Sequence, residues 1–111
     1  MKFNHSHLAL LVGWLRDPSR NPLFLHAVTD DQIDGHVGEV VTRFLSWTRP
    51  KGFELELITR SEHPHRWVGH WVYRGSTLEG FKQPSDAESE DEARLLACAA
   101  LLENAWCRAR L

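Results

Sequence analysis

Cysteine is scarce in this 111-residue chain: only Cys98 and Cys107, nine positions apart. On one helix that separation is roughly 13 Å along the axis, beyond the reach of a disulfide. No disulfide framework is therefore expected, and the thiols read as small buried groups of a reduced, cytoplasmic protein. A basic surplus is also missing: 13 Lys and Arg stand against 15 Asp and Glu, for a formal charge of -2 and a pI near 6.4. Proteins that hold duplex nucleic acid electrostatically are usually basic, so the balance disfavours that role and leaves room only for a local patch. No apolar run is long enough to span a bilayer. Leu8 to Leu15 has the position of a signal-peptide core, but Gly13 and Trp14 interrupt it and Arg16-Asp17-Pro18 is not a small-residue cleavage site. Also missing are Cys-x-x-Cys, His-Glu-x-x-His, a Gly-x-Ser-x-Gly elbow and a glycine-rich phosphate loop before a helix. There is no internal repeat and no low-complexity tract. The expectation from these absences is a non-enzymatic protein without cofactor or metal.

What the chain does have is 42% hydrophobic residues and five tryptophans, enough for one domain over residues 1–111 with a real core. The strongest element is Ser89 to Leu111. Ser89 and Glu92 form a capping box, and Ala93, Leu96, Ala97, Ala100 and Leu101 recur at helical spacing. Leu95, Cys98, Leu102 and Ala105 widen the apolar arc, so this helix should be heavily buried, with Arg108 and Arg110 at the negative end of its dipole. A short helix from about His7 to Arg16, capped by Ser6, carries Leu8, Leu11, Val12 and Leu15 and ends at Asp17-Pro18. A second helix opens at the Thr29/Gln32 capping box with Asp30 and Asp31. It runs through Ile33, Val37, Val40, Val41, Phe44 and Leu45 to about Trp47, before Pro50. Gly35 and Gly38 inside it are read as points of close approach.

After the Lys51-Gly52 turn, Phe53, Leu55 and Leu57 alternate with Glu54 and Glu56, a strand with one wet face. Ser61 to Pro64 is a polar connection, and Arg66 to Tyr73 is a second strand. In it Trp67, Trp71 and Tyr73 point one way and Val68 and Val72 the other, so both faces are apolar. Arg74-Gly75-Ser76 is a hairpin turn leading to a third strand near Thr77 to Phe81. The fold class expected is α+β, helices packed on a three-stranded antiparallel meander in the order α-α-β-β-β-α.

Among candidate chemistries, His5/His7 and His63/His65/His70 have chelating spacing, yet His63 and His65 flank Pro64 in the predicted connection and His70 lies opposite Trp67 and Trp71. Glu54 and Glu56 share a strand face, as they would on any solvated edge. The stretch with most binding character is the hairpin strand, where Arg66, Trp67, His70, Trp71, Tyr73 and Arg74 combine rings with basic groups. Of Trp67 and Trp71, at least one is expected to fill the core under the helices instead.

The helix Ile33 to Trp47, the hairpin Trp67 to Tyr73 and the ending Asp91-Glu92-Ala93-Arg94-Leu95-Leu96-Ala97-Cys98-Ala99-Ala100-Leu101 resemble the phage ABA-sandwich domain, a family of uncharacterised phage and prophage proteins. Gly13-Trp14 resembles the early Gly-Trp of that family. The resemblance implies a phage-type protein and supplies no catalytic residues. In topology, and in Pro64-His65-x-Trp67, the chain also resembles the double-stranded RNA-binding domain. Where that family presents a lysine cluster at the start of its last helix, this chain has Ser89-Glu90-Asp91-Glu92-Ala93-Arg94, which repels phosphate.

The functional expectation is an accessory protein in the bacterial host cytoplasm that binds a protein partner, an inhibitor of a host or defence factor being the specific form. The acidic loop, Asp86 to Glu92, could mimic phosphates to a basic partner. The alternative is an RNA- or DNA-binding module using residues 66–74. Because strand 66–73 is apolar on both faces, a homodimer is expected, against a monomer in which the first helix covers the second face.

Overall fold

The computed structural model describes residues 5–16, 37–60, 63–78 and 87–111. Its elements run α1 (His5–Leu15), α2 (Val37–Thr48), a 3-10 turn (Arg49–Lys51), β1 (Phe53–Arg60), β2 (His63–Tyr73), β3 (Ser76–Thr77), α3 (Glu90–Glu103) and α4 (Ala105–Arg108). The chain is an α+β fold with a three-stranded antiparallel sheet in the order β1-β2-β3.

The 3.6-residue periodicity of the apolar positions decides which helix faces are buried. In α1 these are Leu8, Leu11, Val12 and Leu15, and in α2 Val37, Val40, Val41 and Phe44. Helix α1 already includes Ser6, which is therefore not its cap. The expected start of α2, from Thr29 through Ile33 and Gly35, lies outside the described residues. Gly38 is exposed, with nothing within 4 Å of where a Cβ would stand, so among the described residues no neighbour requires glycine there.

Helix α3 is the centre of the molecule. Ser89 Oγ accepts the Glu92 amide at 3.2 Å, which is one half of the expected capping box. Ala93, Leu95, Ala97, Cys98, Ala99, Leu101 and Leu102 are buried over most of its circumference, because the helix packs on the sheet and on α1 and α2, while Leu96 and Ala100 stay half-buried. The final helix is not continuous to Leu111. Asn104 adopts an extended conformation (φ -85°, ψ 117°) and restarts the chain as α4, its Oδ1 accepting the Cys107 amide at 3.0 Å.

In the sheet, Phe53 pairs with Tyr73, Leu55 with Trp71 and Leu57 with Gly69, and this inner face meets α3. Gly69 allows the approach: a Cβ there would stand 2.4 Å from Ala97 Cβ. Strand β2 begins at His63, so His63, Pro64 and His65 belong to the strand and not to a connection. The third strand is described only at Ser76–Thr77, and the remainder of the expected Thr77 to Phe81 strand, from Glu79 on, lies outside the described residues. Ala87 extends the same side of β2, exchanging two backbone hydrogen bonds of 2.7 Å with Trp67. Helix α1 packs on α2 and α3 and makes no contact with the sheet, so it does not cover the sheet's outer face as the monomeric alternative required. No helix among the described residues is long and apolar enough to cross a membrane.

Candidate binding surface

The six residues singled out from sequence do not form one site. Trp71 is 1% exposed, and its indole Nε1 donates to the Ala97 carbonyl at 2.8 Å, which commits this ring to the core. A buried Trp needs such a partner because an orphaned N–H costs about 1–3 kcal/mol. Trp67 is half-buried on the same face. His70 is half-buried on the outer face, opposite Glu56. Arg66 lies in the first half of β2 beside Glu88, Nη2 to Oε1 3.8 Å. Tyr73 and Arg74 lie at the far end, about 23 Å along the strand from Arg66.

At that far end the fold assembles a surface of rings and cations. Tyr73 contacts Phe53 (centroids 4.6 Å apart) and meets Trp106 edge to face at 5.3 Å and 84°. Arg74 Cζ lies 5.3 Å from the Tyr73 ring centre, and Arg110 Cζ lies 3.5 Å from that of Trp106. Arg110 is held there by a 2.8 Å bond from Nη1 to the Trp106 carbonyl. Beside them, Lys51 Nζ sits 4.9 Å over Trp47, whose Nε1 donates to the Leu111 carbonyl at 3.3 Å. Trp106 is 45% exposed, unusual for so large a ring.

Local sequence explains how these side chains arrive. The Arg74-Gly75 pair forms a two-residue hairpin loop with φ of 50° and 83°, so both loop residues are left-handed, the combination whose twist matches the strands. Gly52, at φ 98°, accepts the Arg74 amide at 2.8 Å and leaves space that a Cβ would take from Arg74 Cγ. The break at Asn104 swings α4 so that Trp106 reaches Tyr73. Sequence reasoning missed Trp106, Arg110, Trp47 and Lys51. The Trp106-x-x-x-Arg110 spacing was the available signal, since residues four apart share a helix face.

Charge is distributed unevenly. Among the described residues no carboxylate pairs with Lys51, Arg74 or Arg110. The start of α3 is different: Arg94 holds Glu90 and Asp91, each at 3.3 Å, and Arg66 approaches Glu88. Those pairs partly compensate the acidic stretch expected to mimic phosphates. No group of three or more His, Cys, Asp or Glu among the described residues could hold a metal ion. Both thiols are buried, and burial pushes the Cys98 and Cys107 pKa values up, outweighing the opposing charges of Arg94 and Arg110 respectively. Neither is placed as an activated nucleophile. The surface offers stacking, apolar contact and anion pairing. No protein-family model matches the chain, and neither the curated proteins nor the solved structures compared with it give a match.

Proposed function

We propose that this chain is a small phage-type accessory protein that acts without catalysis by binding a protein partner through Tyr73, Arg74, Trp106 and Arg110. The observation that carries this reading is the Tyr73–Trp106 pair with a guanidinium over each ring and, among the described residues, no carboxylate paired to either. Tyr, Trp and Arg dominate binding hot spots because they bury large area with few rotors and still offer polar tips. A partner of matching chemistry presents an acidic segment with an apolar residue: carboxylates meet Arg74 and Arg110 while the apolar side chain lies on Trp106. Occlusion of a host or defence factor is the corresponding activity, and the phage assignment rests on the sequence resemblance alone. Copies of the chain also pair with one another through the sheet, by its edge or by its outer face.

The nucleic-acid reading keeps one observation in its favour, since rings beside guanidinium groups also stack bases. The net charge of -2 and the acidic start of α3 oppose it. The test uses wild type and a Trp106→Ala/Arg110→Ala variant as baits in bacterial host lysate, with gel shifts of RNA and DNA oligonucleotides at two salt concentrations. A protein captured by wild type and reduced about tenfold or more in the variant supports the proposal. Equal capture by both baits removes this surface from it. A strongly salt-dependent shift that the variant loses assigns the surface to nucleic acid.

A further inference from the structure

Among the described residues no strand pairs with the outer edge of β1, and that edge has a defined hydrogen-bonding phase. Tyr73 and Ser76 flank the two-residue turn and pair with each other, so the Tyr73 amide and carbonyl point toward β3. Trp67, in the same alternation, spends its amide and carbonyl on Ala87. The intervening Val68, His70 and Val72 therefore bond to Ile58, Glu56 and Glu54 on β1. That leaves the amides and carbonyls of Phe53, Leu55, Leu57 and Thr59 directed at the open edge. Natural edges are usually blunted by proline, lysine or a bulge. Here Phe53 to Thr59 carries neither residue and pairs with β2 in regular register, the one shift lying beyond it between Thr59 and Arg60. Helix α2 does not close the edge: a groove of about 260 Å³ opens between Leu45, Thr48 and Arg49 on one side and Phe53 to Glu56 on the other.

We infer that two copies of the chain join by antiparallel pairing of β1 with β1 on a two-fold axis at Leu57. The result is one continuous sheet with three strands from each copy. Leu57 then faces Leu57, Leu55 faces Thr59 and Glu56 faces Ile58 of the second copy. Every edge-directed residue within the overlap exchanges both backbone bonds with its opposite number, as an antiparallel ladder requires. Neighbouring registers are worse. An axis at Glu56 sets Glu56 against Glu56, and an axis at Leu55 sets Glu54 against Glu56; like charges directly opposite destabilise a sheet. An axis at Ile58 shortens the overlap from residues 54–60 to residues 56–60. This names the strand and register for the self-association proposed above, and it does not depend on the aromatic–cationic surface.

Sedimentation equilibrium of wild type, Ile58→Glu and Ile58→Lys, each with its circular dichroism spectrum, tests the arrangement. Ile58 is 48% exposed, so either substitution leaves the core intact. Wild type is expected at twice the 12.8 kDa chain mass. Ile58→Glu, which places two carboxylates opposite one another at each end, is expected at the chain mass, whereas Ile58→Lys, facing Glu56, stays dimeric. In the same register Leu57→Cys forms a disulfide-linked dimer without reductant and Glu56→Cys does not, the native thiols being buried. Wild type at the chain mass overturns the inference. So does dissociation by both Ile58 variants, which marks packing of the outer face, or a monomeric Leu57→Cys on a non-reducing gel. A monomeric Ile58→Glu that still captures the partner separates this inference from the binding-surface proposal.

Discussion

Gly69 and Ala97 meet where the central helix rides on the central strand. A Cβ at Gly69 would stand 2.4 Å from Ala97 Cβ and 3.1 Å from Leu55 Cδ1, and the Ala97 carbonyl takes the Trp71 indole proton at 2.8 Å. Neither atom 2.4 Å apart belongs to a flexible side chain, so relief requires the helix to move. We expect Gly69→Ala to lower the free energy of unfolding by about 1–3 kcal/mol in denaturant titrations. Ala97→Gly, costing about 1 kcal/mol alone, should recover part of that loss in the double variant; additivity of the two would show that this contact is not the cause. Arg74 is the other residue whose backbone departs from its preference. At φ 50° it is in the left-handed region that Asn or Gly tolerates and Arg does not favour. Arg74→Asn is therefore expected to hold or raise the melting temperature while weakening partner capture, and a clear fall in melting temperature would contradict this account.

Helix ends matter as much as helix middles for the binding surface. Had α3 run on through Asn104, Trp106 would have followed the helix axis and not met Tyr73. The extended Asn104 and its bond to the Cys107 amide redirect the chain by one short turn. Asn104→Ala removes that cap, with an expected cost of about 1 kcal/mol. Its more specific consequence is local. The Trp106 indole resonances should lose the ring-current shift contributed by Tyr73, a change that nuclear magnetic resonance detects even in a fully folded variant. Unchanged Trp106 shifts would mean that packing alone holds α4.

At the scale of the whole molecule, a helix buried over most of its circumference carries one thiol and the short helix after it another. Burial raises both thiol pKa values above those of the unfolded chain. Unfolded cysteines ionise near pH 8.5 or so. Below that point both states hold their protons and stability is unaffected. Above it the unfolded chain releases protons that the folded one retains, so stability falls as pH rises. We expect the denaturation midpoint to decline from about pH 8.5 upward, and the decline to shrink in a Cys98→Ala/Cys107→Ala variant compared with its own neutral-pH value. An unchanged slope would place the cause elsewhere.

Much of the architecture was legible because it depends on local rules. The period of Leu8, Leu11, Val12 and Leu15, the Ser89 cap, the alternation of Phe53 to Leu57 and the hairpin turn at Arg74-Gly75 each act within a few residues. They determined the α+β class and the antiparallel meander. The wide apolar arc from Ala93 to Leu102 likewise pointed to a heavily buried helix. Other features depend on residues distant in sequence, and only the tertiary structure decided them. The choice of Gly69 over Gly38 as the point of close approach depends on Ala97 arriving from a helix 28 residues away. Trp71 is core because the same helix offers it a carbonyl, while Trp106 is surface because Asn104 ends that helix one turn early. The candidate hairpin surface split for the same reason: adjacency along β2 separates its ends, while folding brings Tyr73 together with α4, thirty-three residues further along the chain.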